Sequence, residues 1–229
     1  MSAIGDSSRW LSCLVTAYEL VHAGVLASWP ECRAAVDHSP PDPVPSPPPK
    51  ARTRKTAAAR SRLEDPITRN LIRRLRLVPQ LRGRFHIVSQ FEIIDCTLDR
   101  DPDPLGYIDV AILFSVAEDE VCLALECKRL NVNGTSLATK YVTEGIMRFV
   151  SGKYTPAVPI GGMIGYVMDG RVQQASDAVL KQIRSRHKEL LCSEKSIVFF
   201  SDPDHFSTTH ARKQTGAIEL RHQLLSAKS

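Results

Sequence analysis

The sequence predicts an α/β fold in which helices flank a mixed β-sheet. Runs typical of helices and strands follow one another from residue 61 onward, in the order α-β-β-β-α-β-α-β-β. Such an order favours a sheet with helices on both faces. Hydrophobic residues make up 43% of the 229 residues, which is enough for one domain of ordinary size plus an additional segment.

The N-terminal segment, residues 1–38, is predicted to be a helical appendage to this domain. Apolar residues recur at helical spacing between residues 10 and 28, which indicates an amphipathic helix. Its apolar face is covered either by the body of the domain or by a partner, which would be another protein or a second subunit. Glu19 and His22 interrupt the apolar run, so we expect no membrane span. The apolar positions are Leu11, Leu14, Val15, Tyr18 and Val25.

The cysteines and the net charge bear on compartment and partners. The six cysteines are scattered and form neither a C-x-x-C pair nor a zinc-type spacing. We therefore expect a reduced, cytoplasmic protein without a signal peptide. A formal charge of +5 is a mild preference for polyanions.

Residues 39–60 are predicted to link the N-terminal segment to the main domain, residues 61–229. Seven prolines in the eleven residues SPPDPVPSPPP favour a stiff, extended chain. The next stretch, KARTRKTAAARSR, has six basic residues and no acidic one. It is either a solvated arm or helix start, or an arm that binds phosphates. The phosphate contacts would be Lys50, Arg52, Arg54 and Lys55.

The elements of the main domain follow from local patterns. Asp65 and Pro66 are typical of a helix start, and apolar residues then recur four positions apart. The predicted strands are RFHIVSQFEII, GYIDVAILFSV, EVCLALECK, GGMIGYVMDG, SIVFF and AIELRHQLL, and the other helices are LATKYVTEGIMRFV and VQQASDAVLKQIRSRHKELL. DHFSTTHAR is interpreted as a polar loop, with a general-base histidine, His205 or His210, as the alternative.

The second and third strands are predicted to form a hairpin around AEDE, with Val116 opposite Val121. In this register one face is wholly apolar, and the other carries the charged residues of both strands. Asp109 would lie opposite Lys128, and Glu126 would lie on the diagonal from Asp109, about 7–8 Å away at the backbone.

Three charged side chains on one half-buried face are costly unless they serve one another. They form either an ion-pair cluster or a site for a hard metal ion. Carboxylates of Asp109 and Glu126 suit Mg²⁺ or Mn²⁺, and the backbone carbonyl of Cys127 would be a third oxygen ligand. Lys128 would position or help to activate the attacking water and offset developing negative charge.

Asp109 followed by Glu126-Cys127-Lys128 resembles the PD-(D/E)xK phosphodiesterase superfamily. The resemblance covers roughly residues 61–200 and includes the order of elements. Ile108 replaces the proline of the motif name, a departure that many members share. The resemblance implies a restriction-endonuclease-like fold and an additional helix carboxylate, for which Glu64, or its neighbour Asp65, is the candidate.

For function, the resemblance implies metal-dependent cleavage of nucleic acid, most often DNA. We expect Mg²⁺ or Mn²⁺ as the metal and double-stranded DNA as the partner. Many relatives act in restriction, repair or anti-phage defence. Arg148 and Lys153 are candidate phosphate contacts, with ordinary surface cations as the alternative. Two rival functions remain: a non-catalytic DNA-binding or scaffold subunit, and an RNase on the same scaffold. The absence of a P-loop argues against an ATP-driven motor.

Overall fold

The computed structural model describes residues 7–37, 64–94, 104–114, 122–132, 135–154, 158–200, 204–212 and 216–228. The Pro-rich stretch and the predicted phosphate contacts Lys50, Arg52, Arg54 and Lys55 lie outside these ranges. The described part is an α/β structure in which helices flank a seven-stranded mixed sheet. The predicted fold class is therefore confirmed at this coarse level.

The helices are α1 (Ser7–Asp37), α2 (Glu64–Leu75), α3 (Thr135–Lys140), α4 (Met147–Val150) and α5 (Val172–Ser185), and a π-helical turn, Tyr141–Ile146, joins α3 to α4. The strands are β1 (Phe85–Ile94), β2 (Pro104–Phe114), β3 (Cys122–Leu130), β4 (Ile160–Val167), β5 (Ile197–Phe199), β6 (His205–Arg212) and β7 (Gly216–Ser226). Their order in the sheet is β1-β2-β3-β4-β7-β6-β5.

The centre of the sheet is parallel and its edges are antiparallel. Strand β4 runs parallel to both β3 and β7, and every other pairing is antiparallel. Parallel neighbours need a crossover connection, and the helical run of residues 135–150 supplies it between β3 and β4. Every residue of β4 is buried, as expected for a strand covered on both faces.

Two hydrophobic layers enclose the sheet. Helices α1 and α2 pack on one face, against Val110, Leu125 and Cys127. The π-helical turn, α4 and α5 pack on the other face, against Ala111 and Ala124. Residues of β2 and β3 therefore point to opposite layers in alternation, and the layer under α4 is the one that receives Glu126.

Helix α1 is longer than predicted and belongs to the packed body. It was expected between residues 10 and 28 but continues through Pro30 to Asp37. The continuation is stabilised because Trp29 and Cys32 are buried in the α1–α2 layer. Trp29 also stacks on Tyr166, with ring centroids 5.5 Å apart, and donates a hydrogen bond to the carbonyl of Ser226 at 2.7 Å. Of the two predicted covers for its apolar face, the structure shows the body of the domain.

By length and composition alone, Leu11–Ala34 of α1 is also apolar enough to cross a membrane. Core helices of soluble proteins meet the same criterion. In this structure, 39% of the segment is buried within the protein.

The interpretation of DHFSTTHAR as a loop is wrong, because residues 205–212 form strand β6 between β7 and β5. Because most of its side chains are polar, this segment lacks the alternation of apolar and polar residues that predicts a strand. Thr208 and His210 are buried there but hydrogen-bonded to each other at 2.7 Å, so their burial does not leave polar atoms unsatisfied.

The predicted register of β2 and β3 is wrong by two residues. Val110 pairs with Leu125, not with Cys127, and the pairing extends only to Leu113 and Cys122. The prediction assumed a short turn, whereas the connecting residues 115–121 lie outside the described ranges. Because the shift is even, every side chain keeps its face of the sheet. Asp109 and Glu126 thus share a face, as predicted, but lie closer in register than the predicted diagonal.

Candidate active site

The candidate site lies where β2 and β3 stop pairing. Beyond Val110–Leu125, the side chain of Asp109 replaces a backbone acceptor: its Oδ2 accepts a hydrogen bond from the Cys127 N–H at 2.9 Å. Asp109 is thereby fixed between the strands rather than directed into solvent. The side chain is only 17% exposed.

Gln90 supports Asp109 from the other side, and sequence reasoning missed it. It lies between the pairs Ser89–Val110 and Phe91–Ile108, opposite Asp109. Its Nε2 donates to Asp109 Oδ1 at 3.3 Å. Its φ of 52° is in the left-handed region, which non-glycine residues seldom adopt and which is found disproportionately at functional sites. No sequence signal marks a glutamine for this conformation.

Glu126 is fully buried, with 0% exposure, and both carboxylate oxygens accept hydrogen bonds. Oε1 accepts from Lys128 Nζ and, at 2.8 Å, from Arg148 Nη1. Oε2 contacts the Tyr154 hydroxyl at 3.0 Å. Three donors from two elements and a loop therefore converge on one carboxylate.

Burial, and then the nearby charge of Asp109, raise the pKa of Glu126 to about 7, against the opposing charges of Lys128 and Arg148. The carboxyl group therefore takes up a proton much more readily than an exposed glutamate does. Burial and the Glu126 charge also raise the pKa of Tyr154 well above its usual range. A buried carboxyl with a strongly shifted pKa beside a second carboxylate is typical of functional sites.

The Tyr154 hydroxyl links Glu126 to β2. It contacts the carbonyl of Tyr107 at 2.5 Å as well as Glu126 Oε2, and it accepts a hydrogen bond from Arg148 Nη1. One hydroxyl proton serves only one of these two acceptors at a time. When it points to Tyr107, a protonated Glu126 satisfies the other contact by donating to the hydroxyl oxygen.

Lys128 bridges the two carboxylates. Its Nζ binds Glu126 Oε1, lies 3.9 Å from Asp109 Oδ2 and donates to the Cys127 carbonyl at 3.1 Å. Only 14% of its side chain is exposed. The structure thus brings together Asp109, Glu126 and Lys128, the trio found by alternation along the strands.

The donor set fits a hard metal ion better than zinc. Within the described residues, no group of three or more His, Cys, Asp and Glu side chains is placed to hold a metal. Mg²⁺ differs from zinc in keeping several waters and needing only one or two carboxylates. Asp109, Glu126 and the Cys127 carbonyl meet that need. A cation would also relieve the repulsion that raises the pKa of Glu126.

The proposed helix carboxylate stays a prediction. Glu64 is the first residue of α2, and the side chains of Glu64 and Asp65 lie outside the described part of the structure. Helix α2 itself packs on the sheet face opposite the one that receives Glu126.

The two candidate phosphate contacts on the described chain both lie beside this site. Arg148 binds Glu126 and Tyr154 directly. Lys153 lies against β2, where a Cβ added at Gly106 would be 2.7 Å from Lys153 Cε and 3.0 Å from its Nζ. The neighbouring Tyr107 is 46% exposed. A cation and an exposed aromatic ring therefore lie at Gly106 and Tyr107 of β2, three and two residues before Asp109.

If Lys153 contacts a phosphate of duplex DNA, as the sequence predicts, Lys153→Ala should weaken binding and reduce the salt dependence of affinity by about one counterion. Binding is measured by fluorescence anisotropy in Ca²⁺ at several salt concentrations. Lys195→Ala, in the exposed turn before β5, is the matched control. Equal salt slopes for the two variants would remove Lys153 from the interface.

His210 does not serve as the base of this site. It lies on β6, three strands from β3, or roughly 14 Å at ordinary strand spacing. It belongs to a buried chain of hydrogen bonds instead. The contacts run from the Leu190 carbonyl to His210 (2.8 Å), to Thr208 (2.7 Å), to His222 (2.8 Å) and to the Tyr141 hydroxyl (3.0 Å).

These buried histidines predict that the stability of the protein falls in acid. Burial lowers the pKa of His210 to about 4, from an ordinary value near 6.5, and lowers that of His222 as well. Between pH 6.5 and 4 the unfolded state binds the proton first, so stability is lost as pH falls. His210 alone contributes a loss of about 2 kcal/mol between pH 8 and pH 5.

The measurement is urea unfolding of wild type and His210→Gln at pH 8, 6.5 and 5. Other groups titrate in this window, so the informative quantity is the difference between the two proteins. We expect that difference to shrink or reverse as pH falls. Parallel pH curves would contradict the assignment of acid sensitivity to His210.

Comparison of the chain with protein-family models, curated proteins and solved structures finds no match.

Proposed function

We propose that the chain is a metal-dependent nuclease of the PD-(D/E)xK type that hydrolyses phosphodiester bonds of DNA. The observation that carries the proposal is the convergence of Asp109, Glu126 and Lys128 where β2 and β3 separate. Two carboxylates on neighbouring strands and one ammonium group between them are the residue types that such hydrolysis requires.

The finer fold assignment is part of the same proposal. The order α2-β1-β2-β3, then the α3–α4 run, then β4, agrees with the restriction-endonuclease-like fold that the resemblance implies. The site occupies β2 and β3, the strands that carry the motif. Beyond that core, β5, β6 and β7 extend the sheet, and α1 adds to one face.

Each residue has a distinct role in the proposed reaction. Asp109, Glu126 and the Cys127 carbonyl would hold Mg²⁺ or Mn²⁺, which supplies polarisation of the phosphate and a lower pKa of bound water. Lys128 positions the attacking water and offsets charge that develops on the phosphate oxygens. Gln90 and Tyr154 orient the two carboxylates through the hydrogen bonds described above.

A scaffold or DNA-binding role is the second candidate, and one observation favours it. The buried Glu126 is fully satisfied by Lys128, Arg148 and Tyr154, so the trio also meets the requirements of a structural ion-pair network. The two functions differ in whether a divalent cation displaces these partners.

The test is incubation of the purified chain with supercoiled plasmid, linear duplex and RNA, with Mg²⁺, with Mn²⁺ and with EDTA. Metal-dependent cleavage of the DNA substrates supports the nuclease, and cleavage of RNA alone supports the RNase alternative. DNA binding in Ca²⁺ without cleavage in either active metal supports the scaffold role. Plasmid linearisation separates endonuclease from end-dependent activity.

A further inference from the structure

Arg148 is a second cation on the carboxylate that the proposed metal needs. It lies on α4, which directly follows the π-helical turn Tyr141–Ile146. Its Nη1 donates both to Glu126 Oε1, at 2.8 Å, and to the Tyr154 hydroxyl. Lys128 donates to the same Oε1. This oxygen therefore has two cationic donors.

A metal ion held by Asp109 and Glu126 would compete with Arg148 for Glu126. The ion would repel a guanidinium that lies 2.8 Å from Glu126 Oε1. Lys128 has other acceptors close by, at the Cys127 carbonyl and near Asp109. Arg148 has only Tyr154 in addition to Glu126 among the described residues, so Arg148 is the partner that leaves.

Arg148 has the means to bind an anion after it leaves. Its side chain is 34% exposed, so part of the guanidinium side chain is accessible to solvent. Within the described part of the chain, its hydrogen bonds use Nη1 alone, whereas a guanidinium carries five N–H donors in a planar fork suited to phosphate. Local π-helical turns are frequent at functional sites, and this one precedes Arg148 by a single residue.

Gly145, within the π-helical turn, lies over the site: a Cβ added there would be 3.8 Å from Glu126 Cγ and 2.5 Å from Met163 Cε. The helix backbone therefore approaches Glu126 closely, and Arg148 reaches it from the adjoining turn. Tyr154, which contacts the Tyr107 carbonyl, also accepts a hydrogen bond from the guanidinium and helps to hold it against Glu126.

We propose that Arg148 has two positions: it neutralises Glu126 in the metal-free site, and it moves to a substrate phosphate when metal occupies the carboxylates. This rests on the proposed nuclease function. Arg148 thereby competes with metal in the absence of DNA and aids catalysis in its presence. Metal and DNA are consequently expected to bind cooperatively, because the phosphate provides the displaced guanidinium with a new partner.

The test compares Arg148→Gln and Arg148→Lys with wild type, and uses Arg184→Gln, an exposed residue on α5, as the matched control. Mn²⁺ affinity is measured by calorimetry without DNA, and cleavage is measured at saturating Mn²⁺. We expect Arg148→Gln to bind Mn²⁺ about tenfold more tightly and to cleave about a hundredfold more slowly. Arg148→Lys, which keeps the charge and tests a variant with little risk to folding, should gain less metal affinity and still lose cleavage.

Two results would overturn the proposal: unchanged or weaker Mn²⁺ binding in folded Arg148→Gln, and unchanged cleavage with tighter binding. The first removes the competition and the second removes the phosphate contact. Failure of the nuclease function has a different signature. If wild type binds Mn²⁺ but cleaves nothing, tighter Mn²⁺ binding by Arg148→Gln still supports the competition. In that case, weaker DNA binding by Arg148→Gln than by wild type, measured in Ca²⁺, supports the phosphate contact.

Discussion

Replacing Asp109 with Asn is expected to abolish metal-dependent cleavage, by on the order of a thousandfold or more, while the protein stays folded. The asparagine Oδ1 can still accept the hydrogen bond from the Cys127 N–H that Asp109 accepts at 2.9 Å. The side chain nevertheless loses its negative charge. A divalent ion then has one carboxylate instead of two, and the cleft has a net excess of cations.

Stability is expected to hold or increase in the same variant. The charge of Asp109 contributes to the raised pKa of Glu126, so its removal relieves a repulsion between two partly buried carboxylates. Lys128 keeps its contacts with Glu126 and the Cys127 carbonyl. The melting temperature without metal should therefore equal or exceed that of wild type.

The measurements are cleavage rate, Mn²⁺ affinity by calorimetry and melting temperature, each for Asp109→Asn, Glu126→Gln and the double variant. Asp177→Asn, on the exposed side of α5, controls for the loss of a surface carboxylate. If the double variant binds Mn²⁺ as wild type does, the metal does not lie at Asp109 and Glu126.

How much of this site was predictable depends on which physical rule places each residue. Alternation along a strand fixes the face of a side chain, so Asp109, Glu126 and Lys128 were placed together despite a register error of two residues. The pairing register of β2 and β3 also depends on where each strand ends and the connection begins. Hydrophobic alternation along the strands does not determine those end points.

The supporting residues were less predictable because they come from distant elements. Tyr154 reaches Glu126 from the loop after α4, and its contact depends on how the helical run crosses the sheet. Gln90 owes its role to an unusual φ of 52°, which no composition rule assigns to glutamine. Arg148 was predicted as a phosphate contact from helix position alone, and its pairing with Glu126 was not foreseen.

Burial explains the errors elsewhere in the chain. Strand β6 was interpreted as a loop because Thr208 and His210 are polar, although each is buried within a hydrogen-bonded chain. The helical pattern was predicted only between residues 10 and 28, but packing of Trp29 and Cys32 maintains α1 through Pro30 to Asp37. In both cases tertiary contacts outweighed the local signal.

Substitution of Lys128 discriminates between the nuclease and the scaffold function better than substitution of either carboxylate. If the lysine is only half of a structural ion pair, Lys128→Met removes a partner of a fully buried carboxylate and the cost falls on stability. If the lysine serves catalysis beside a bound cation, that cation neutralises the carboxylates while Tyr154 remains on Glu126, so the protein should stay folded with only a modest change in melting temperature.

For the nuclease, we expect Lys128→Met to lower the cleavage rate by on the order of a hundredfold or more, the scale of one lost electrostatic contact to a transition state. Mn²⁺ affinity should persist or rise, since a positive charge 3.9 Å from Asp109 and in contact with Glu126 has been removed. Duplex affinity in Ca²⁺ should change little. Lys181→Met, on the exposed face of α5, is the matched control. Full cleavage by folded Lys128→Met would remove the lysine from the mechanism. A large fall in melting temperature with normal residual activity would assign the lysine to the structural ion pair. Only the catalytic role predicts a variant that is stable and binds metal but cleaves slowly.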